Sequence, residues 1–183
     1  MTVFNSLAPG TYTVDPTHTE IGFTARHMMV AKVRGTFQEF TADVVVGETL
    51  AESVVTAEVQ LTSVDTRNED RDTHLRTSDF FDVENHPTMT FRSTEITESS
   101  LTGDLTIKGT TRPVTFDLEF NGVSPDPWGG TRAGFEATTE VNRKDWDLTW
   151  NVAVEGGGVL VSEKVKLHLD VELVAPAEES AQA

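Results

Sequence analysis

The chain has 183 residues, with 30 acidic side chains against 14 lysines and arginines and a net charge of −16. A surface this acidic repels phosphate backbones, which excludes nucleic acid as a partner and argues against general adhesion to anionic membranes. The absence of cysteine excludes disulfides, a thiolate nucleophile and cysteine-based metal sites. The length suits one domain, and no stretch approaches the length of a helical membrane span. The first ten residues hold no basic segment leading into an apolar run, so a cytoplasmic protein is expected, or a periplasmic or secreted one if a leader has been removed.

Residues 1–10 read as a loose arm, followed by a short strand around Tyr12 and Val14. Asp15-Pro16-Thr17 has the chemistry of a turn. Ile21, Phe23 and Ala25 then alternate with Gly22, Thr24 and Arg26, the period of a half-buried strand, and His27 falls in phase with the apolar set. Met28 to Val33 does not alternate and is expected to be a helical turn or an irregular crossing. Phe37 and the Phe40, Ala42, Val44, Val46 series are out of phase by one, which predicts a β-bulge between them.

Val55 to Leu61 alternates cleanly. Thr66-Arg67-Asn68-Glu69 resembles a capping box and predicts a short helix over 67–76, with Asp72–Arg76 and Asp70–His74 in pairing distance. Leu75 is almost its only apolar residue, so weak surface docking is expected. Strands follow at Met89–Phe91, Leu101–Ile107, Val114–Phe120, Ala133–Val141 and Val165–Leu173. Gly109–Pro113 and Ser124–Gly130 read as turns, Asn142–Asp147 as an interruption and Gly156–Gly158 as a flexible loop. Residues 175–183 have the composition of a disordered tail. The predicted fold is all-β: one closed antiparallel barrel of about eight strands with short helical segments, spanning 11–174, because a sheet of that size closes or splits to remove its edges.

With these segments in place, the chain resembles the bacterial YceI family of isoprenoid-lipid-binding proteins. The resemblance lies in Asp15–Phe40, in the RDTHLRTSDFFDVE segment of Arg71–Glu84, in His86–Phe91, in Gly103–Val114 and in the VNRKDW of Val141–Trp146, five segments in order. It implies an elongated lipocalin-like barrel whose interior holds a long polyisoprenoid chain or similar amphiphile: a polyisoprenoid, an isoprenoid quinone or an isoprenoid phosphate. Binding, sequestration or transport is the expected role, with no catalytic motif and no cofactor beyond a bound lipid. An enzyme using His27 as acid or base, and a ligand-free stress-related domain, are the alternatives. A homodimer is compatible with the sequence.

The inward-facing residues offered as the ligand wall are Ile21, Phe23, Ala25, His27, Met29, Val33, Phe37, Phe40, Phe91, Phe116, Phe135 and Trp146. Pockets are mostly apolar with a few placed polar groups, and His27 would be one. Its other reading is a core histidine satisfied by carbonyls. Arg26, Lys32 and Arg34 lie in a run from Ile21 to Gln38 that holds no acid, and are candidate head-group contacts at the barrel mouth. Ordinary surface pairing competes with that reading, and Arg26 points outward by phase. His74 is a further head-group candidate, set against a structural clamp between helix and barrel. The five histidines form no metal-binding spacing.

Overall fold

The structure is a computed structural model and describes residues 6–177. Among the described residues, eleven strands and one α-helix follow one another: β1 Gly10–Val14, β2 Glu20–His27, β3 Ala31–Phe37, β4 Phe40–Val46, β5 Val54–Gln60, β6 Val64–Asp65, α1 Glu69–Arg76, β7 Thr88–Ile96, β8 Ser100–Ile107, β9 Thr110–Pro125, β10 Thr131–Asn142 and β11 Lys164–Val174. Eight of them, in the order β1-β4-β5-β7-β8-β9-β10-β11, form a ring that a β1–β11 pairing closes. The expected barrel of about eight antiparallel strands is therefore present. The remaining three extend it: β2 pairs with β11 beside β1, β3 pairs with β2, and the two residues of β6 pair with the end of β3.

The sheet closes because its alternation is consistent. Val44, Ala57, Phe91, Leu105, Phe116, Ala137, Leu169 and their phase-mates face one interior, while the intervening threonines, acids and lysines face water. The step from Phe37 to Phe40 is a corner and not the expected bulge. The chain leaves β2 at Phe37 and joins β5 at Phe40, and the amides of Gln38 and Glu39 both donate to Ser63 Oγ, at 3.1 and 3.0 Å. Register shifts occur instead at Ser93/Glu95 and Gly134/Phe135. Met28–Val30 is a hairpin tip and neither a helical turn nor a crossing segment, since β3 resumes the ladder at Ala31 opposite His27.

Two glycines let aromatic rings lie flat against the wall. A Cβ on Gly35 would collide with the Phe23 ring, and one on Gly103 would collide with the Phe91 ring. The close approach of each ring covers a glycine that would otherwise weaken its strand.

The helix is shorter than expected and better anchored. Asn68, rather than Thr66, is the N-cap, its Oδ1 accepting from Arg71 N at 2.9 Å. Thr66 is buried and donates its amide and hydroxyl to the buried carboxylate of Asp72, at 2.9 and 2.5 Å. Asp72 thus does not pair with Arg76, which reaches Glu69 at 3.7 Å, and His74 pairs with Asp79 rather than Asp70. Leu75 packs into the interior, so the helix is docked and not merely resting on the surface. Within the arm, Leu7 is buried and Ala8 O accepts from the buried Tyr12 hydroxyl at 2.9 Å, so its second half is held. Residues 1–5 and most of the expected tail, 178–183, lie outside the described residues.

Candidate functional site

The barrel is hollow. Its interior holds a cavity of about 300 Å³ running from Leu7, Val46 and Leu173 near one end to Ala25, Val161, Leu148 and Trp146 near the other. That volume is at the lower bound of small-molecule sites, about 300–1,000 Å³. The wall is almost wholly carbon. Small side chains such as Ala42, Ala57 and Ala137 stand on this wall among the larger ones, which leaves room for a lumen.

Nine of the twelve residues offered from the sequence stand on this wall: Ile21, Phe23, Ala25, Phe37, Phe40, Phe91, Phe116, Phe135 and Trp146. The aromatic members contact one another edge-on or tilted, Phe91 with Phe116 at 5.9 Å and Phe23 with Phe37 at 5.7 Å between ring centres. Trp146 is fixed by its indole N–H, which donates to Leu105 O at 3.0 Å across the barrel end.

The other three stand elsewhere. His27 is exposed and outside the cavity lining, so its expected inward place is corrected: β2 ends there, with His27 bridging Val161 and pairing with Ala31. Met29 is exposed at the hairpin tip, and Val33, opposite Ala25, does not reach the cavity. Arg26, Lys32 and Arg34 are exposed on the outer face of the hairpin, away from the lumen. His74 also lies outside the cavity. It bonds Asp79 Oδ2 at 2.8 Å and stacks edge-on against Trp150 and Phe80, with ring centres at 4.6 and 5.1 Å. That contact ties α1 to the 143–163 excursion between β10 and β11.

Arg143, which the sequence reading passed over, is 5% exposed at the edge of the cavity. Its guanidinium donates to three carbonyls: Ser162 O at 2.9 Å, Leu148 O at 2.6 Å and Val161 O at 3.4 Å. Burial pushes its pKa down, while the nearby Glu163 carboxylate opposes that shift. It fastens both ends of the excursion that caps this end of the barrel. No spacing or periodicity marks such a residue. The second polar cluster lies at the other end, where Arg132 on β10 binds Asp15, Glu172 and Asp126, the last at 3.1 Å. Asp15, His18 and Glu172 come close enough together to hold a cation, but the Arg132 guanidinium already occupies their carboxylates. Hydrogen bonds from Thr17, His18 and Arg132 hold the Asp15 carboxyl well below its usual range, and the Asp15 carboxylate raises the His18 imidazole.

Residues 12–173 match the model of the YceI-like domain. The chain belongs to the YceI family. A UPF0312 protein of Staphylococcus epidermidis is 42% identical over 164 residues, covering 88% of this chain and 95% of that protein. One from Staphylococcus aureus is 40% identical over 165 residues, with the same coverage. Among solved structures, the Campylobacter jejuni YceI protein superposes with a TM-score of 0.70 at 27% identity, covering 83% of this chain and 90% of that one. BcnA of Burkholderia cenocepacia gives 0.71 at 22% identity, with 89% and 99% covered. A polyisoprenoid binding domain from Saccharophagus degradans gives 0.69 at 14% identity, with 90% and 98% covered. These last two share the fold. In this YceI-family chain, no helix among the described residues is long and apolar enough to cross a membrane.

Proposed function

We propose that the barrel binds the hydrocarbon tail of an isoprenoid-type lipid (a polyisoprenoid, an isoprenoid quinone or an isoprenoid phosphate) and so sequesters or carries it. The observation that carries this reading is the continuous, nearly all-carbon cavity inside a closed sheet. An empty apolar lumen forfeits packing that a filled core would have, so a sequence that keeps it open has a use for the space. The polyisoprenoid binding domain with the same fold supports the ligand class.

Transfer energies set the terms of recognition. Each buried methylene contributes about 0.8 kcal/mol, so one five-carbon unit supplies on the order of 3–4 kcal/mol before ordering costs. A wall so nearly free of polar groups reads tail length and branching, and leaves a polar head at an end of the barrel. Mass spectrometry of an organic extract from natively purified protein tests this. A bound lipid with a prenyl tail, in near-stoichiometric amount, is expected. A protein that carries no amphiphile from the cell and does not take up farnesol or a short-chain quinone from solution would overturn the reading.

A further inference from the structure

Outside the cavity, one surface departs from the rest of this acidic protein. Arg26 registers with Lys32, and Thr24 registers with Arg34 on one side and with Lys166 on the other. All four cations are in phase with one another, opposite to Ile21, Phe23 and Ala25, which line the cavity; they therefore share the outer face of three adjacent strands. All four are exposed. Among the described residues none of them has a carboxylate within ion-pairing distance, although Glu140 registers with Lys166 and pairs with the neighbouring Lys164 at 3.6 Å. No acid occurs between residues 21 and 38, in a chain that holds 30.

The tip that ends this basic face is apolar. Met28, Met29 and Val30 are 42%, 56% and 82% exposed. Met28 and Met29 both take left-handed backbone conformations, with φ of 51° and 60°, at the two central positions of a tight hairpin turn. Asn-Gly serves such a turn without strain, so two methionines there are not explained by the turn itself. Met28 N donates to Leu160 O and Leu160 N to Val152 O, both at 2.9 Å, which places the 47% exposed Val152 on the same ridge. The ridge stands at an end of the cavity, since His27 bridges Val161 and both Val161 and Ala25 belong to the wall.

We propose that this hairpin docks on an anionic lipid bilayer. Met28, Met29, Val30 and Val152 enter the acyl boundary while Arg26, Lys32, Arg34 and Lys166 pair with lipid phosphates. The docking rests on the reading of the cavity as a lipid site, because it puts one end of that cavity against the source of its ligand. Charge complementarity selects the occupant, and the net charge of −16 holds every other face away from the same membrane. Attachment through such a patch is reversible, oriented and sensitive to salt.

Vesicle flotation tests the proposal, with phosphatidylcholine vesicles compared to vesicles carrying about 30% phosphatidylglycerol. Partitioning onto the anionic vesicles is expected to be roughly tenfold stronger at about 50 mM NaCl and to vanish near about 500 mM. Arg26→Glu with Lys32→Glu and Arg34→Glu, and separately Met29→Asp with Val30→Asp, should each remove that partitioning while farnesol uptake and Tm stay as in the wild type. Equal or absent binding to the two vesicle types, or full binding by the charge-reversed triple variant, overturns it; an acidic protein captured by the same face without vesicle binding does so too. Farnesol uptake reads the cavity separately, so a protein that floats with anionic vesicles but takes up no farnesol retains the docking and loses the lipid-carrier function.

Discussion

Arg143 and Arg132 show two ways in which a cation holds this barrel together. Arg143 is buried and satisfied by carbonyls alone. Removing it takes away the guanidinium donor of Ser162 O and Leu148 O in a buried site, while Val161 O keeps the Asn151 side-chain amide at 2.8 Å; the loss costs on the order of 2–4 kcal/mol. Arg143→Ala is therefore expected to lower the urea midpoint strongly and to loosen the 143–163 excursion first, as read by hydrogen exchange at Leu148 and Val161. Arg132 works in partial contact with solvent, and its cluster answers to pH. The pKa of His18 is raised in the folded protein by Asp15 and then Glu172, so its contribution is complete below the unfolded value of about 6.5 and is lost as pH rises through the folded value. The stability difference between wild type and His18→Gln should be present at pH about 5.5 and absent at pH about 9. Asp15 has the opposite sign: its pKa is lowered, so its contribution is held above about pH 3.9 and fails as pH falls toward the folded value.

At the scale of elements, the short helix depends on a buried acid more than on its surface pairs. Asp72 accepts from both the amide and the hydroxyl of Thr66. Asp72→Ala should cost about 2–3 kcal/mol, well beyond the few tenths expected from losing the exposed Arg76–Glu69 contact, and thermal unfolding of the two variants separates them. The strands themselves were legible in the sequence because each has a wet face and a dry face, and alternation records that directly. His27 shows the limit of the same signal. Its phase continues the apolar set, but phase says nothing about where the wall stops, and β2 reaches the rim at His27, two residues after the lumen-lining Ala25. The Phe37–Phe40 slip was visible as a break in period, whereas its cause, a strand changing partners around Ser63 Oγ, depends on a residue 25 positions away. Arg143 lies in the VNRKDW segment, but its role left no periodic signal, since its three acceptors are set by how the excursion folds back. Whether the interior is packed or hollow depends on which side chains meet across the ring, which lies beyond any one strand's periodicity.

For the molecule as a whole, the lumen is a property that one substitution can remove. Ala57 lies on the cavity wall between Ala42 and Phe91. Ala57→Trp should fill the space with an indole, abolish uptake of farnesol or a short-chain quinone, and leave the circular dichroism spectrum of the barrel intact. Lost structure together with lost uptake would instead mean that the wall cannot accommodate the ring. The way the ring shuts has a consequence of its own. β1 and β2 bond to β11, so residues 13–24 must meet residues 166–174 before any lumen exists. Contacts so distant in sequence are slow to form, because the whole intervening chain has to be ordered first. Until the last strand is available, the growing sheet holds its greasy side open to the cell, the state in which aggregation competes with folding. Refolding on the millisecond-to-second scale is then expected, with β11 gaining protection last, and a hydrocarbon ligand present at that step would be enclosed by the closing sheet without having to pass through a finished wall.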